Sequence, residues 1–255
     1  MCAINGFNFK NIELIKKMSA ITSSRGPDNE GFSFSEDYTI GHNRLSIIDP
    51  EQRSNQPFYF KNLILTFNGE IYNYLELKKK LVSKGFSFET KSDTEVIIKL
   101  FYLNGIDSFK ELSGIFAISI YDINLKKFYL IRDTIGVKPI YYHYNPTSNK
   151  FIYSSLIKSI LISLKGTKLN YRAVESYSNF NRNDYRETFY TDIFKVLPGE
   201  LIEFKNDILK RSKFLKLEFK DNSNSMTLKS DIKKYFNNQF LSDVPVALSL
   251  SGGID

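Results

Sequence analysis

One residue near the start of the chain can do chemistry by itself. Initiator methionine is normally trimmed before a small residue, and loss of Met1 would make Cys2 the N-terminus. The Cys2 thiol would then stand beside its own α-amine, whose pKa is roughly 8. A thiol is the best nucleophile among side chains, and an N-terminal amine can activate it, so one residue supplies nucleophile and base without a histidine. Taken alone, Cys2 reads better as a small buried residue. Other positions read first as structure. Asn68-Gly69 is a common hairpin signal. Arg44 in a strand-like stretch is ordinarily a salt-bridge partner. Asp93 opens a helical pattern, where the helix dipole favours an acid.

Positioning these residues takes strands and helices. Cys2–Phe9 is short, apolar and strand-like, and Ile12, Ile15 and Met18 follow at helical spacing. Ser23–Gly31 is a turn-rich loop holding Arg25-Gly26-Pro27-Asp28. Strands are expected at Thr39–Ile48 and Leu63–Phe67, the second breaking into a turn at Asn68-Gly69-Glu70. Leu75, Leu77, Leu81 and Val82 fit a helix that stops at Gly85. Ser92-Asp93-Thr94-Glu95 has the form of a capping box ahead of a helix ending at Asn104-Gly105.

Further strands are expected at Ile115–Tyr121, Phe128–Ile131, Ile140–Tyr144 and Phe151–Ser154, with a helix near Leu156–Leu164. Pro198-Gly199 turns into a strand at Leu201–Phe204. Asp221–Ser225 reads as a loop. Beyond it, Leu228, Ile232, Tyr235, Phe236 and Gln239 suggest a helix, and Val246–Leu250 a short buried strand. Neighbouring strands joined by short turns argue for an α+β fold rather than βαβ alternation.

The bulk numbers exclude several classes. A chain of 255 residues with 42% hydrophobic and 25% charged residues has the composition of a globular protein with a real core. No apolar run approaches a membrane span and no signal peptide opens the sequence, so a cytoplasmic location and no membrane partner are expected. One cysteine rules out an intrachain disulfide. His42 and His143 lack partners at metal-ligand spacing, so no metal site is expected. The net charge of +7 is spread over scattered lysines, and the densest run, Lys78–Lys80, is a solvated helix face; no nucleic-acid partner is expected.

Five segments in order carry a resemblance: Met1-Cys2-Ala3-Ile4, Arg25–Asp28, His42–Asp49, Asn68–Asn73 and Ser92–Glu95. Arg132-Asp133, Gly136, Lys138-Pro139 and Tyr141-Tyr142 extend it. Together they resemble the class II glutamine amidotransferase domain of glutamine-dependent asparagine synthetases, over essentially the whole chain. The resemblance implies a four-layer α/β/β/α N-terminal nucleophile hydrolase sandwich in residues 1–207. It implies that Cys2 is the nucleophile and that Asn68 and Gly69 form the oxyanion hole. It assigns glutamine binding to Arg44, Leu45, Ser46, Ile47, Ile48, Asn68, Gly69, Glu70 and Asp93. Arg44 would hold the α-carboxylate through its guanidinium fork, and Asp93 the α-ammonium. Arg25–Asp28 would shape the pocket loop. The glutaminase itself would need no cofactor.

The end of the chain adds a second resemblance. Leu250, Ser251, Gly252, Gly253 and Asp255 look like the opening of an ATP-pyrophosphatase loop, in which small residues expose backbone N–H groups to phosphate. Residues 208–255 are thus expected to be a linker and the first fragment of a synthetase domain. The full enzyme would use ATP, Mg2+ and aspartate; the sequence leaves the oligomeric state open, a homodimer being one option, and the lone fragment would be mobile or shielded by a contact. The 255 residues alone would not make asparagine. Ala3 stands where the family usually has Gly, and Leu156 replaces an acid in Ser154–Lys158, which leaves the acceptor open. A sugar acceptor and a catalytically silent remnant are the competing readings.

Overall fold

In the computed structural model the chain is described at residues 1–164, 166–181, 186–215 and 225–253. Two six-stranded antiparallel sheets stack face to face. The first runs β10 (Phe194–Lys195), β8 (Tyr141–Asn145), β9 (Lys150–Ser154), β1 (Ala3–Phe7), β3 (Tyr38–Arg44), β2 (Asn29–Ser35). The second runs β12 (Ile208–Lys213), β11 (Glu200–Lys205), β7 (Lys127–Arg132), β6 (Gly114–Asp122), β5 (Leu63–Ile71), β4 (Phe58–Phe60).

Three apolar clusters set the layers. Ile4, Tyr38 and Ile40 of the first sheet meet Ile64, Tyr121, Phe128 and Leu130 of the second in a central core. Ile15 and Met18 of helix α1 (Ile12–Thr22) and Ile160 of helix α4 (Ile157–Leu161) cover the outer face of the first sheet against Phe7 and Ile152. Helices α2 (Tyr74–Ser83) and α3 (Asp93–Asn104) cover the second sheet through Leu77, Leu81, Val96, Ile97 and Leu100. The result is the expected α/β/β/α sandwich. Alternating strands bury one set of side chains inward and the other beneath a helix, so most of the strands lack a solvent face.

Helix ends obey local chemistry. The side chain of Asn11 accepts from Leu14 N–H to start α1, and that of Ser92 accepts from Thr94 N–H to start α3. The reciprocal half of a capping box is not made: Glu95 turns back to the N–H groups of Glu89 and Thr90 and pairs with buried Lys99 at 2.5 Å. Gly105 ends α3 with φ +58°.

Several expectations change. The strand from Thr39 ends at Arg44, not Ile48, because residues 45–49 bend away to form a loop. Asn68-Gly69-Glu70 is not a turn: β5 runs on to Ile71, paired throughout with β6. Ser23–Gly31 contains a 3-10 turn at Ser23–Arg25 and the beginning of β2. Helix α5 (Tyr171–Phe180) and the strands β4, β10 and β12 had no sequence expectation.

β12 pairs with β11 across Asn206-Asp207, so the division expected between 207 and 208 falls in a hairpin turn. Helix α6 (Ser225–Asn238) forms, but Val246–Leu250 is not a strand. Val246, Leu248 and Leu250 are exposed, and none of the described strands pairs with this segment. Leu241 of this region packs against the α2/α3 core. Residues 221–224 of the expected loop, with Ile254 and Asp255, lie outside the described residues. Among the described residues no helix is long and apolar enough to cross a membrane.

Candidate active site

Cys2 lies at the mouth of a cavity of about 190 Å³ between the two sheets and α3. Its walls include Arg44, Leu45, Ile47, Ile48, Asn68, Gly69, Glu70 and Asp93. Of the residues expected to bind glutamine, only Ser46 is missing from this wall. Ser46 instead uses its backbone N–H to reach Asp28 Oδ2 at 2.7 Å.

β1 holds Cys2 by its neighbours. Ile4 N–H donates to Ser155 Oγ at 3.0 Å and Ile4 O accepts from Ser155 N–H at 2.9 Å. Arg25 Nε donates to the Cys2 carbonyl at 3.1 Å. The Leu45 N–H points at Cys2 Sγ at 3.3 Å. Burial pushes the thiol pKa up, and the Leu45 bond only partly offsets this. Met1 is still joined to Cys2 and is 54% exposed, with its own amine pulled down by burial. In this form the Cys2 nitrogen is an amide and cannot act as a base. The exposed Met1 is open to an aminopeptidase.

The Arg25–Asp28 loop is tied to the wall at three points. Besides the Arg25 and Asp28 side-chain bonds, Asp28 N–H donates to Arg44 O at 3.0 Å. Gly26 is packed so closely that a Cβ there would lie 2.3 Å from Asn43 O. This supports the pocket-shaping role expected for the loop.

Arg44 is buried and spends most of its fork on the protein. Nη1 donates to Glu51 O at 3.0 Å and Asn55 Oδ1 at 2.7 Å, while Nη2 donates to Ile48 O at 3.2 Å and Asp49 O at 2.5 Å. These bonds organise the 48–55 loop, a duty the sequence pattern did not disclose. Asp49 itself has φ +46°, a conformation short polar residues tolerate better than most.

β5 presents Asn68 and Gly69 to the cavity. Both polar atoms of the Asn68 side chain are buried without a hydrogen-bond partner. An amide left unpaired in a protein interior is costly, and it is available to a ligand. Gly69 is demanded by packing: a Cβ would sit 2.0 Å from Ile115 O on β6. His42 sits behind, donating from Nε2 to Phe67 O at 3.0 Å and so joining the sheets beside Asn68. Burial pushes its pKa down to about 4, which keeps the ring neutral.

Asp93, Glu70 and Lys138 supply charge. Burial pushes the Asp93 carboxyl up to about 7, although Ile71 N–H donates to it at 3.1 Å; nearby Glu70 adds to the rise. Burial also raises Glu70 and lowers Lys138. Lys138 was seen only as part of a motif. It is delivered by a loop in which Asp133 accepts from the N–H groups of Ile135, Gly136, Val137 and Lys138.

Gln56 escaped sequence reading altogether. It lines the cavity and links Phe67 N–H to the Thr94 hydroxyl, and only the long-range pairing of β4 with β5 could have revealed it. Leu156 caps α4 and is not among the cavity residues. Leu250, Ser251, Gly252 and Gly253 are all exposed, and Asp255 lies outside the described residues. These four exposed residues do not by themselves fit a nucleotide. Among the described residues no group of three or more His, Cys, Asp or Glu is placed to hold a metal ion.

Comparison with known proteins agrees with this geometry. The chain is 32% identical over 251 residues to asparagine synthetase [glutamine-hydrolyzing] 1 of Bacillus subtilis, covering 95% of this chain and 39% of that protein. It is 34% identical over 290 residues to the putative asparagine synthetase [glutamine-hydrolyzing] 2 of Methanocaldococcus jannaschii, covering all of this chain and 55% of that protein. The chain thus spans about half or less of the length of these relatives. In structure it is similar to glutamine phosphoribosylpyrophosphate amidotransferase of B. subtilis, with a TM-score of 0.62 over 89% of this chain and 52% of that one. At 18% identity that likeness is one of fold. With a family match running over residues 1–215, the chain belongs to the glutamine amidotransferase domain family.

Proposed function

We propose that the chain hydrolyses glutamine to glutamate and ammonia with Cys2 as nucleophile. The observation that carries this is the shared cavity of the Cys2 thiol and the unpartnered Asn68 amide. Once Met1 is removed, the free amine of Cys2 takes the thiol proton. The sulfur attacks the side-chain amide carbon of glutamine, and the oxyanion is held by the Asn68 side chain and the Gly69 N–H. The amine passes its proton to the leaving nitrogen, which departs as ammonia. Water then hydrolyses the thioester, giving glutamate and restoring the thiol. Asp93 and Glu70 face the glutamine ammonium, while the 45–48 backbone faces its carboxylate; Arg44, its Nη protons all donated to the 48–55 loop, serves that end by its charge and by seating the loop rather than by the expected fork.

For the whole protein, we propose that the ammonia goes to ATP-dependent amidation of aspartate. The names of the relatives support this reading. The test of the first step is glutamate release from glutamine, with intact mass recorded on the same sample. Release by protein lacking Met1, and none from Cys2→Ala, is the expected result. Hydrolysis by Cys2→Ala would overturn the assignment.

A further inference from the structure

The segment after α6 reaches the glutamine cavity from outside. Residues 239–246 face Leu45, Ser46, Ile47 and Glu70 across a second cavity of about 340 Å³. Leu45, Ile47 and Glu70 are walls of both cavities. Asp243 grips the loop between them twice. Its N–H donates to Ile47 O at 3.0 Å, and its Oδ2 accepts from Asp49 N–H at 2.8 Å.

Asp49 is the residue at φ +46°, and a conformation of that kind persists only where its surroundings over-determine it. Here they do. The Asp49 carboxylate accepts from Lys91 N–H at 2.8 Å, from Ser54 Oγ at 2.7 Å and from Arg53. Its carbonyl receives Arg44 Nη2. Its N–H has Asp243. The adjacent Ile48 carbonyl also receives Arg44 Nη2, and Ile47 and Ile48 are cavity walls. Two hydrogen bonds from residue 243 therefore bear on the loop that both lines the cavity and seats the arginine.

We propose that Asp243 is a positioning residue for glutamine: it clamps the 47–49 loop, so that docking of the 239–246 segment sets the affinity of the pocket. The inference rests on the glutaminase reading for the identity of the ligand, but not on turnover. Loss of one part-buried charge-assisted hydrogen bond corresponds to a change in binding of about tenfold at most.

The test uses the full chain in two backgrounds. In Cys2→Ala protein, calorimetric titration with L-glutamine should show about tenfold weaker binding when Asp243 is replaced by Ala. Asp243→Asn should bind nearly as well as the parent, because its amide oxygen still accepts from Asp49. With Cys2 intact, Asp243→Ala should raise KM about tenfold and leave kcat within about twofold. Amide exchange at Asp49 should speed up in Asp243→Ala while exchange in β5 is unchanged, which separates the clamp from a folding defect.

Unchanged affinity in Asp243→Ala, or an equal loss in both variants, overturns the clamp. Glutamine binding that follows the expected order without any turnover by the Met1-free protein overturns the glutaminase reading and leaves the clamp in place. No glutamine binding by the Cys2→Ala parent overturns both.

Discussion

The backbone N–H of Leu45 lies 3.3 Å from the sulfur of Cys2, joining the end of β3 to the residue just before β1. That bond aims the thiol into the cavity but does not ionise it, since burial holds the thiol pKa above its ordinary value. As the proposed nucleophile Cys2 needs a base, the role proposed for the amine that loss of Met1 would free. A lysine inserted between Met1 and Cys2, which would block trimming to the cysteine, should lower kcat by about 10² to 10⁴. Glutamate release with intact mass on the same sample checks this. Full activity with an uncleaved extension would refute the amine's role.

Asn68→Ala should lower kcat by about 10² to 10³ and change KM little, as expected for a donor used on the transition state. The same change should not reduce stability. The Asn68 amide has no partner in the structure, and removing a buried unpaired polar group relieves about 1 to 3 kcal/mol of desolvation, against the packing of the amide group lost. Steady-state kinetics and thermal melts on one preparation test both halves. A large fall in Tm would show that the amide is paired in solution.

Asp93 gives a pH signature. With its carboxyl at about 7, a binding role for the ionised form makes kcat/KM fall as pH drops through that value. The stability effect has its own sign. An unfolded aspartate titrates near about 3.9, so between there and about 7 the native state holds a proton that the unfolded chain has lost. Stability then declines as pH rises across that window. Asp93→Asn should raise Tm at pH 8, leave it nearly unchanged at pH 4, and abolish tight glutamine binding. A variant that melts lower than wild type at pH 8 would contradict the raised pKa.

Gly69→Ala should fail for a packing reason. The new Cβ would meet Ile115 O at 2.0 Å and Phe116 Cα at 2.7 Å, and both are backbone atoms of the paired strand. The register of β5 against β6 must shift, so loss of both activity and several degrees of Tm is expected. Wild-type melting with lost activity would place the role of Gly69 in chemistry alone.

The catalytic set was legible because it sits in short local patterns. Cys2, Asn68-Gly69 and Ser92–Glu95 are each local patterns, and the structure brings Cys2, Asn68, Gly69, Ser92, Asp93 and Thr94 to one cavity. What stayed hidden depends on partners distant in sequence. Asn68-Gly69 reads as a turn until β6 is seen beside it; the pairing with Ala117 and Phe116 keeps it extended. Gln56 and Asp243 act through contacts to residues many positions away. Arg44 has a structural duty because the 48–55 loop folds back over it, and no periodicity announces such a fold. Val246–Leu250 was misread because an apolar run signals burial without saying what is to bury it.

Among the described residues the hairpin formed by β11 and β12 leaves β12 as the outermost strand of its sheet. Its sequence is Ile208-Leu209-Lys210-Arg211-Ser212-Lys213, and most of it is exposed. An open strand edge is a template for another chain to add to. Here any incoming backbone would have to lie along three closely spaced cations, and a second copy of the same edge would bring three more. Part of the chain's positive excess is thus spent on keeping neighbouring molecules apart, and concentrated protein should scatter light less at low salt than at high.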